Sequence, residues 1–331
     1  MTVAAAAVAS TLTSLHDPSQ AALRIDGLSK RYGRKAPWAL DTLTCHVPRG
    51  VICGLVGPNG AGKTTLYSVI SGFLPQEAGT VDILGEGPFD PWRLRGRLGV
   101  LPQDASLDER LTCQEFLEYM GALQGLGMGD VRKVAQVALE EVNLTDRARD
   151  RIASLSHGMR RRLSAASALL NAPELVLLDE PMAGLDPVQA ASLREVLVRQ
   201  RGRGTLVVSS HNLVELERIC DWVILLEKGK LVQQGTVADV TGRGVHVGWT
   251  VGPGVSDEAP VFLALSEVLP GHTLRYEPTG DGGGILHQAT PPGDDLDASA
   301  VIVARVLAEH GVAIRACQRG RSLEESFLDR L

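Results

Sequence analysis

The segment covering residues 51–65 constrains the fold of this 331-residue chain more than any other. It begins with an uninterrupted apolar run, residues 51–56, which is typical of a strand buried on both faces of a parallel sheet. The run leads into Gly57-Pro-Asn-Gly-Ala-Gly-Lys-Thr-Thr65, which fits the pattern G-x-x-x-x-G-K-[ST]. The sequence therefore predicts a buried strand, a glycine-rich turn and a helix in succession.

The residue types in this turn match the chemistry of phosphate binding. Glycines let backbone N–H groups point toward anionic oxygens, and the helix beginning near Gly62 directs its positive end at the same place. Lys63 supplies positive charge for β- and γ-phosphates, and the Thr64 hydroxyl completes the shell of a Mg²⁺ ion. The predicted phosphate-binding residues are Gly57, Asn59, Gly60, Gly62, Lys63, Thr64 and Thr65.

Two further apolar runs end in polar clusters. Residues 175–178 lead into Asp179-Glu180, and residues 206–208 lead into Ser209-Ser210-His211. Ligands of open parallel sheets bind beyond the carboxyl ends of the strands, so the three runs predict one shared site. We expect Asp179 to hold Mg²⁺, directly or through water, and Glu180 to act as general base on an attacking water.

The order of predicted elements suggests two domains. Residues 22–242 alternate strands and helices, with a helical insertion at about 104–170, where the strand signal disappears. Residues 243–331 follow the order strand–helix–strand–strand–helix–strand, which predicts a small α+β accessory domain of ferredoxin-like type. Residues 1–21 are interpreted as a disordered tail.

Composition narrows the function classes. No run of about 18 apolar residues occurs, so no membrane span is predicted. The net charge of −6 argues against nucleic acid as the main partner. Two arginine clusters, residues 93–97 and 160–162, lack interleaved aromatics and are interpreted as solvated faces with ion pairs.

The phosphate-binding turn, the Asp179-Glu180 pair and several further motifs in the same order make residues 23–240 resemble the nucleotide-binding subunit of ATP-binding cassette transporters. Gln103 resembles the family's glutamine loop, and Leu155-Ser-His-Gly-Met159 its signature motif. Residues 183–186 resemble the loop that crosses the dimer seam. His211 resembles the switch histidine that contacts the γ-phosphate, and Tyr32 the aromatic that stacks on adenine.

The resemblance implies an α/β fold with the parallel-sheet core of P-loop NTPases and an antiparallel β part. It implies ATP as ligand and Mg²⁺ held by Thr64, Gln103 and Asp179, with Glu180, His211 and Gln103 as catalytic residues. Ser156 and Gly158 are expected to bind the γ-phosphate held by an opposite subunit. The remaining expected ATP contacts are Tyr32 and the phosphate-binding residues given above.

The signature motif departs from the usual Leu-Ser-Gly-Gly-Gln at His157 and Met159. The motif keeps the groups that are expected to bind phosphate: the Ser156 hydroxyl, the Gly158 backbone and the N-terminus of the following helix. His157 is interpreted as a tolerated outward-facing side chain, with a pH sensor as the alternative.

The continuation after Met159 and the ending Ser322-Leu-Glu-Glu-Ser-Phe-Leu328 resemble the exporter branch, which moves drugs, polyketides, lipids or polysaccharides. The implied partners are a second copy of the chain and an integral membrane permease, at the cytoplasmic face of the membrane. A non-transport cassette acting on ribosomes or DNA is the alternative from another class. It is disfavoured because neither a second cassette nor a long coiled coil occurs. A regulatory nucleotide-binding module is disfavoured by Glu180.

Overall fold

A computed structural model describes residues 17–243, 245–256, 258–280, 282–291 and 294–328. Its contacts divide the chain into two units, with the boundary between Gly235 and Thr236, whereas the sequence predicts it between residues 242 and 243. Residues 1–16 of the predicted tail lie outside the described residues. The last tail residues include a 3₁₀ turn, Pro18–Gln20, and the start of the first strand at Ala21.

The first unit is built on a six-stranded sheet with the strand order β5-β6-β7-β3-β8-β9. The pairs β5/β6, β6/β7, β7/β3 and β3/β8 are parallel. Residues of β3, β6 and β7 are buried along their whole length, as their apolar sequences predict. The strands are β3 (Ile52–Val56), β5 (Leu98–Leu101), β6 (Leu175–Leu178), β7 (Thr205–Ser210), β8 (Trp222–Glu227) and β9 (Lys230–Thr236).

A three-stranded antiparallel sheet, in the order β2-β1-β4, completes the β structure of this unit. Leu23, Ile25 and Leu43 from this sheet join Leu55 and Leu177 of the parallel sheet in one buried apolar cluster. The mixed α/β fold with a parallel core and an antiparallel part is therefore confirmed. The three strands are β1 (Ala21–Arg31), β2 (Trp38–Pro48) and β4 (Ala78–Ile83).

Helices connect and cover these strands. Helix α1, Lys63–Ile70, begins directly after the glycine-rich turn, and its N-cap residue Gly62 has φ +102°. A Cβ at Gly62 would lie 2.5 Å from the Ala39 carbonyl oxygen, so conformation and space both require glycine there. The region predicted as helical insertion contains α2 (Cys113–Leu123), α3 (Met128–Glu141) and α4 (His157–Leu169); α5 (Pro187–Arg199) and α6 (Leu213–Ile219) follow β6 and β7.

The second unit has a four-stranded antiparallel sheet in the order β11-β12-β10-β13. Its core contains Trp249, Leu265, Leu286 and Val303. Over residues 246–319 the order of strands and helices is the predicted one, and one short helix precedes and another follows this series. The ferredoxin-like class itself stays a prediction. The elements are α7 (Val237–Thr241), β10 (His246–Val251), α8 (Pro260–Val268), β11 (Thr273–Pro278), β12 (Gly284–Ala289), α9 (Leu296–Glu309), β13 (Ile314–Arg319) and α10 (Leu323–Leu328).

Across the described parts of both units, none of the helices has the length and apolar character needed to cross a membrane.

Candidate nucleotide site

The turn between β3 and α1 is held tightly against its surroundings. A Cβ at Gly57 would lie 2.5 Å from the Leu226 carbonyl oxygen, so the backbone can follow this path only with glycine. The Lys63 ammonium turns back into the loop and donates to the carbonyl oxygens of Gly57 at 2.5 Å and Pro58 at 3.3 Å. The loop therefore keeps a buried cation directed at its own concave side, where an anionic ligand would compete with the carbonyls.

Burial sets the electrostatics of this lysine. Desolvation lowers the pKa of Lys63, and the nearby carboxylates of Glu180 and Asp179 act in the opposite direction. A bound polyphosphate would add negative charge next to the ammonium and favour its protonated form. The site therefore combines a poorly solvated cation with room for an anion.

Most of the predicted nucleotide-binding residues surround one cavity of about 610 Å³ at the carboxyl edge of the parallel sheet. The cavity has an open mouth, and its lining combines the glycine-rich turn with side chains that follow β1, β5, β6 and β7. The predicted residues that line it are Tyr32, Asn59, Gly60, Gly62, Lys63, Thr64, Thr65, Gln103, Glu180 and His211.

Asp179 and Glu180 lie at the end of β6 in different environments. Asp179 is 1% exposed and does not line the cavity, while Glu180 is 7% exposed and does. Ser209, at the end of the neighbouring strand β7, connects the two. Its hydroxyl donates to Asp179 Oδ1 at 2.6 Å and accepts the Glu180 backbone N–H at 2.7 Å. Ser209 thereby holds the Asp179 carboxylate and the Glu180 backbone in fixed positions relative to each other.

His211 lies beside Glu180 at the cavity wall. Its Nδ1 atom is 3.0 Å from Glu180 Oε2, and two thirds of its side chain remains exposed (66%). In this arrangement His211 contacts the predicted general base directly. Its Nε2 side is left available for another group, because Nδ1 makes the contact with Glu180.

Tyr32 lines the cavity from the segment that directly follows β1. Its ring is 66% exposed, and its hydroxyl is 3.0 Å from Thr65 Oγ1 in the first turn of α1. An exposed aromatic face beside a phosphate-binding turn suits stacking on a nucleobase. The hydroxyl contact fixes the distance between that ring and the loop.

Ser156 and Gly158 do not line this cavity. Ser156 is the N-cap of α4, with its side chain accepting the Met159 N–H at 3.3 Å. A Cβ at Gly158 would fall 1.8 Å from Gln189 Oε1, so a larger residue here would require the end of the Gln189 side chain to move. The adjoining His157 is exposed, which accords with an outward-facing side chain.

The interpretation of residues 160–162 as a solvated face is wrong for Arg161. Arg160 does pair with Glu109 at 2.5 Å. Arg161, however, donates to four backbone carbonyls: Pro181 at 3.0 Å, Gln103 at 3.0 Å, Asp179 at 3.2 Å and Glu180 at 2.5 Å. The sequence does not indicate these hydrogen bonds, because their acceptors are backbone carbonyls of segments that are distant along the chain.

Two other residues of the site were not found from the sequence. Ser209 stands in the polar cluster that follows the apolar run 206–208, and only the pairing of β6 with β7 brings it to Asp179. Tyr67 of α1 is buried, and its hydroxyl donates to the carbonyl oxygens of Val207 at 2.9 Å and Leu178 at 3.3 Å. Burial raises the pKa of Tyr67 well above its usual value. The Tyr67 side chain thus connects α1 with β6 and β7.

Comparisons with known proteins point to one family. A protein-family profile described as ABC transporter matches residues 40–183. The linearmycin resistance ATP-binding protein LnrL of Bacillus subtilis (strain 168) is 34% identical over 67% of this chain and 71% of its own length. Nod factor export ATP-binding protein I of Ralstonia nicotianae is 36% identical over 78% of this chain and 79% of its own length.

A solved structure of an ATP-binding subunit of an ABC transporter superposes with a TM-score of 0.60 at 30% identity. The superposition covers 67% of this chain and 92% of that structure. The mixed α/β fold of this chain is thus shared with an ATP-binding subunit of an ABC transporter.

Proposed function

The chain belongs to the ATP-binding cassette transporter family as an ATP-hydrolysing subunit, and from that premise we propose that two copies close around two ATP molecules and drive an exporter. ATP binding closes the pair, and hydrolysis reopens it. The proposed cargo classes are drugs, lipids and polysaccharides. The names of the linearmycin resistance and Nod factor export relatives support export as the direction of transport.

The separation of Ser156 from the cavity is the observation that carries this proposal. The N-terminus of the 13-residue helix α4 directs backbone N–H groups and a positive dipole end outward, beside the exposed Ser156 hydroxyl. The chain's own cavity, around Lys63, does not include that helix end. A second copy would supply it, so each ATP would lie between Lys63 of one subunit and Ser156 of the other.

The residues at the cavity edge fit a Mg²⁺ ion bound together with nucleotide phosphates. Among the described residues, no three His, Cys, Asp or Glu side chains are close enough to form an all-protein metal site. Mg²⁺ is usually held by one or two carboxylates, substrate phosphates and waters. The Thr64 hydroxyl and the Gln103 amide line the cavity and would bind the ion directly. The Asp179 carboxylate, which does not line the cavity, would hold the ion through a water molecule. When bound, the ion neutralises charge on the β- and γ-phosphate oxygens.

Glu180 is the proposed general base. Its carboxylate faces the cavity, whereas the Asp179 carboxylate is turned into the hydrogen bond with Ser209. Glu180 would accept a proton from the water that attacks the γ-phosphate. His211 would orient that carboxylate through Nδ1, which lies 3.0 Å from Glu180 Oε2, and meet the γ-phosphate through its other ring nitrogen.

An apolar groove near the helical region is the proposed contact for the membrane permease. It has a volume of about 300 Å³ and is lined by side chains that include Phe73, Phe89, Met120 and Leu123. Phe73 is 72% exposed and Leu123 is 54% exposed, and exposed apolar side chains that cluster in one groove are typical of an interaction site. A short amphipathic helix of the permease would cover them and place this subunit at the cytoplasmic face of the membrane.

The test of this function is Glu180→Gln. The substitution keeps size and hydrogen bonding but removes the basic group, so hydrolysis should fall by about 10²- to 10⁴-fold. ATP should still bind, because Lys63, Thr64 and the facing Ser156 are unchanged. With hydrolysis blocked, ATP-bound dimers should accumulate and be visible by size exclusion with light scattering.

The control is Ser156→Arg in the Glu180→Gln background. It places a large, positively charged side chain at the proposed interface between the two copies. The variant should therefore stay monomeric and still bind ATP. Wild-type hydrolysis by Glu180→Gln would show that the base is assigned wrongly. A dimer that survives Ser156→Arg would contradict the proposed arrangement of the two copies.

A further inference from the structure

We propose that Arg161 is a positioning residue for hydrolysis, which holds the backbone of the catalytic base and of the glutamine loop in register with the signature helix. This inference rests on the proposed function and concerns the same site. Arg161 does not line the cavity and would not touch ATP. It acts through the carbonyl groups that it binds.

The guanidinium group joins three separate segments. Arg161 projects from the second turn of α4, five residues after Ser156 in the sequence. It reaches Gln103 after β5 and the consecutive carbonyls of Asp179, Glu180 and Pro181 after β6. One side chain thus connects the helix that would face the second ATP with both segments that would act on the first.

The backbone of Glu180 needs such support. Glu180 has φ +50°, in the left-handed region that is uncommon for residues other than glycine. Residues in sparsely populated conformations persist when their surroundings hold them from several sides. The Ser209 hydroxyl accepts the Glu180 N–H at 2.7 Å, and Arg161 donates to the Glu180 carbonyl at 2.5 Å. The two peptide groups that set the direction of the carboxylate are therefore both fixed by side chains.

The fork shape of arginine is the feature that matters here. A guanidinium carries five N–H donors in one plane, while a lysine ammonium has three donors at a single point on a shorter side chain. Lysine could reach one or two of the four carbonyls. It would keep the positive charge beside the carboxylates of Asp179, Glu180 and Asp104, which act on Arg161 against the pKa-lowering effect of burial. Arg161→Lys therefore removes the planar set of donors that reaches all four carbonyls and retains the positive charge.

A consequence follows for coupling between the two halves of the site. If α4 moves relative to the end of β6, the bonds of Arg161 to Glu180 and Gln103 must lengthen or break. The rate of hydrolysis then depends on the position of the signature helix. Arg161 accordingly links closure of the second site to alignment of the first.

The experiment compares Arg161→Lys with Arg162→Lys in the full chain. Arg162 is the next residue of the same helix, and its guanidinium donates to the Val142 carbonyl at 2.9 Å, away from the cavity. We expect Arg161→Lys to lower kcat for ATP by about 10²-fold, because small misplacements of a catalytic group have effects of this size. The KM for ATP should change by less than about twofold, because Arg161 does not line the cavity and would make no contact with bound ATP. Arg162→Lys should keep kcat within about twofold of wild type.

A second measurement separates positioning from loss of structure. Titration of a fluorescent ATP analogue should give equal affinity for Glu180→Gln and for Glu180→Gln/Arg161→Lys. An equal fall in kcat for both lysine variants, a near-normal kcat for Arg161→Lys, or weakened analogue binding in the double variant would each overturn the role of Arg161. If Glu180→Gln itself hydrolyses ATP normally, the proposed function fails instead, whatever Arg161→Lys does.

Discussion

Replacing Ser209 with alanine would remove one hydroxyl on which both carboxylate residues depend. The hydroxyl donates to Asp179 Oδ1 at 2.6 Å and accepts the Glu180 N–H at 2.7 Å. Ser209 has 0% exposure, so bulk water does not reach these groups when the hydroxyl is absent. Ser209→Ala would therefore leave a buried carboxylate oxygen and a buried N–H without this partner.

The magnitude can be estimated from these two bonds. A hydrogen bond to a charged group contributes about 1.5–3 kcal/mol, and an unsatisfied buried N–H costs about 1–3 kcal/mol. Because both bonds belong to one network, their effects do not simply add, and we expect a loss of about 3 kcal/mol in the free energy of unfolding. For a domain of about 150–250 residues, this lowers Tm by about 6–12 °C. ATP hydrolysis should fall too, since Glu180 loses its backbone anchor.

Differential scanning calorimetry of the full chain provides the assay. The transition that rises when ATP and Mg²⁺ are added belongs to the unit that contains the cavity, so Tm is read from that transition. Ser167→Ala is the matched control. Ser167 is a buried serine of α4 whose hydroxyl donates to the Ser164 carbonyl at 2.7 Å, and its loss should cost about 1 kcal/mol. If Ser209→Ala melts no lower than Ser167→Ala, the hydroxyl does not hold the two carboxylate residues as argued.

Two further changes test the site and the division of the chain. Lys63→Ala removes the buried charge facing the phosphates and should reduce ATPase activity by at least about 10²-fold, with a smaller ATP-dependent rise in Tm. Lys230→Ala is the control, because Lys230 is an exposed lysine outside the cavity, and its ATPase activity should equal that of the wild type. Near-normal hydrolysis by Lys63→Ala would contradict the assignment of the phosphate-binding loop. A chain ending at Gly235, the boundary of the first unit, should remain soluble and bind ATP in a fluorescence titration. An insoluble or nucleotide-blind product would show that the two units share one core.

The sequence by itself determined the parts of the site that are local. The glycine-rich turn is contiguous with the strand before it and the helix after it, so its conformation and its ligand class follow from neighbouring residues. Glu180 and His211 could also be found, because each lies in a polar cluster that follows an apolar run and matches a motif of the family that the chain resembles. Periodicity likewise predicted the order of strands and helices over residues 246–319, where each of the four strands has six residues.

Only the tertiary structure decided which side chains hold those residues in place. Ser209 reaches Asp179 across 30 positions, and Arg161 reaches Gln103 across 58. The acceptors of Arg161 and Tyr67 are backbone carbonyls, which every residue type carries, so no residue pattern marks them. Three adjacent arginines consequently looked alike in the sequence. They differ because the 100° step of an α-helix turns each one toward a different neighbour, and only Arg161 meets the end of β6.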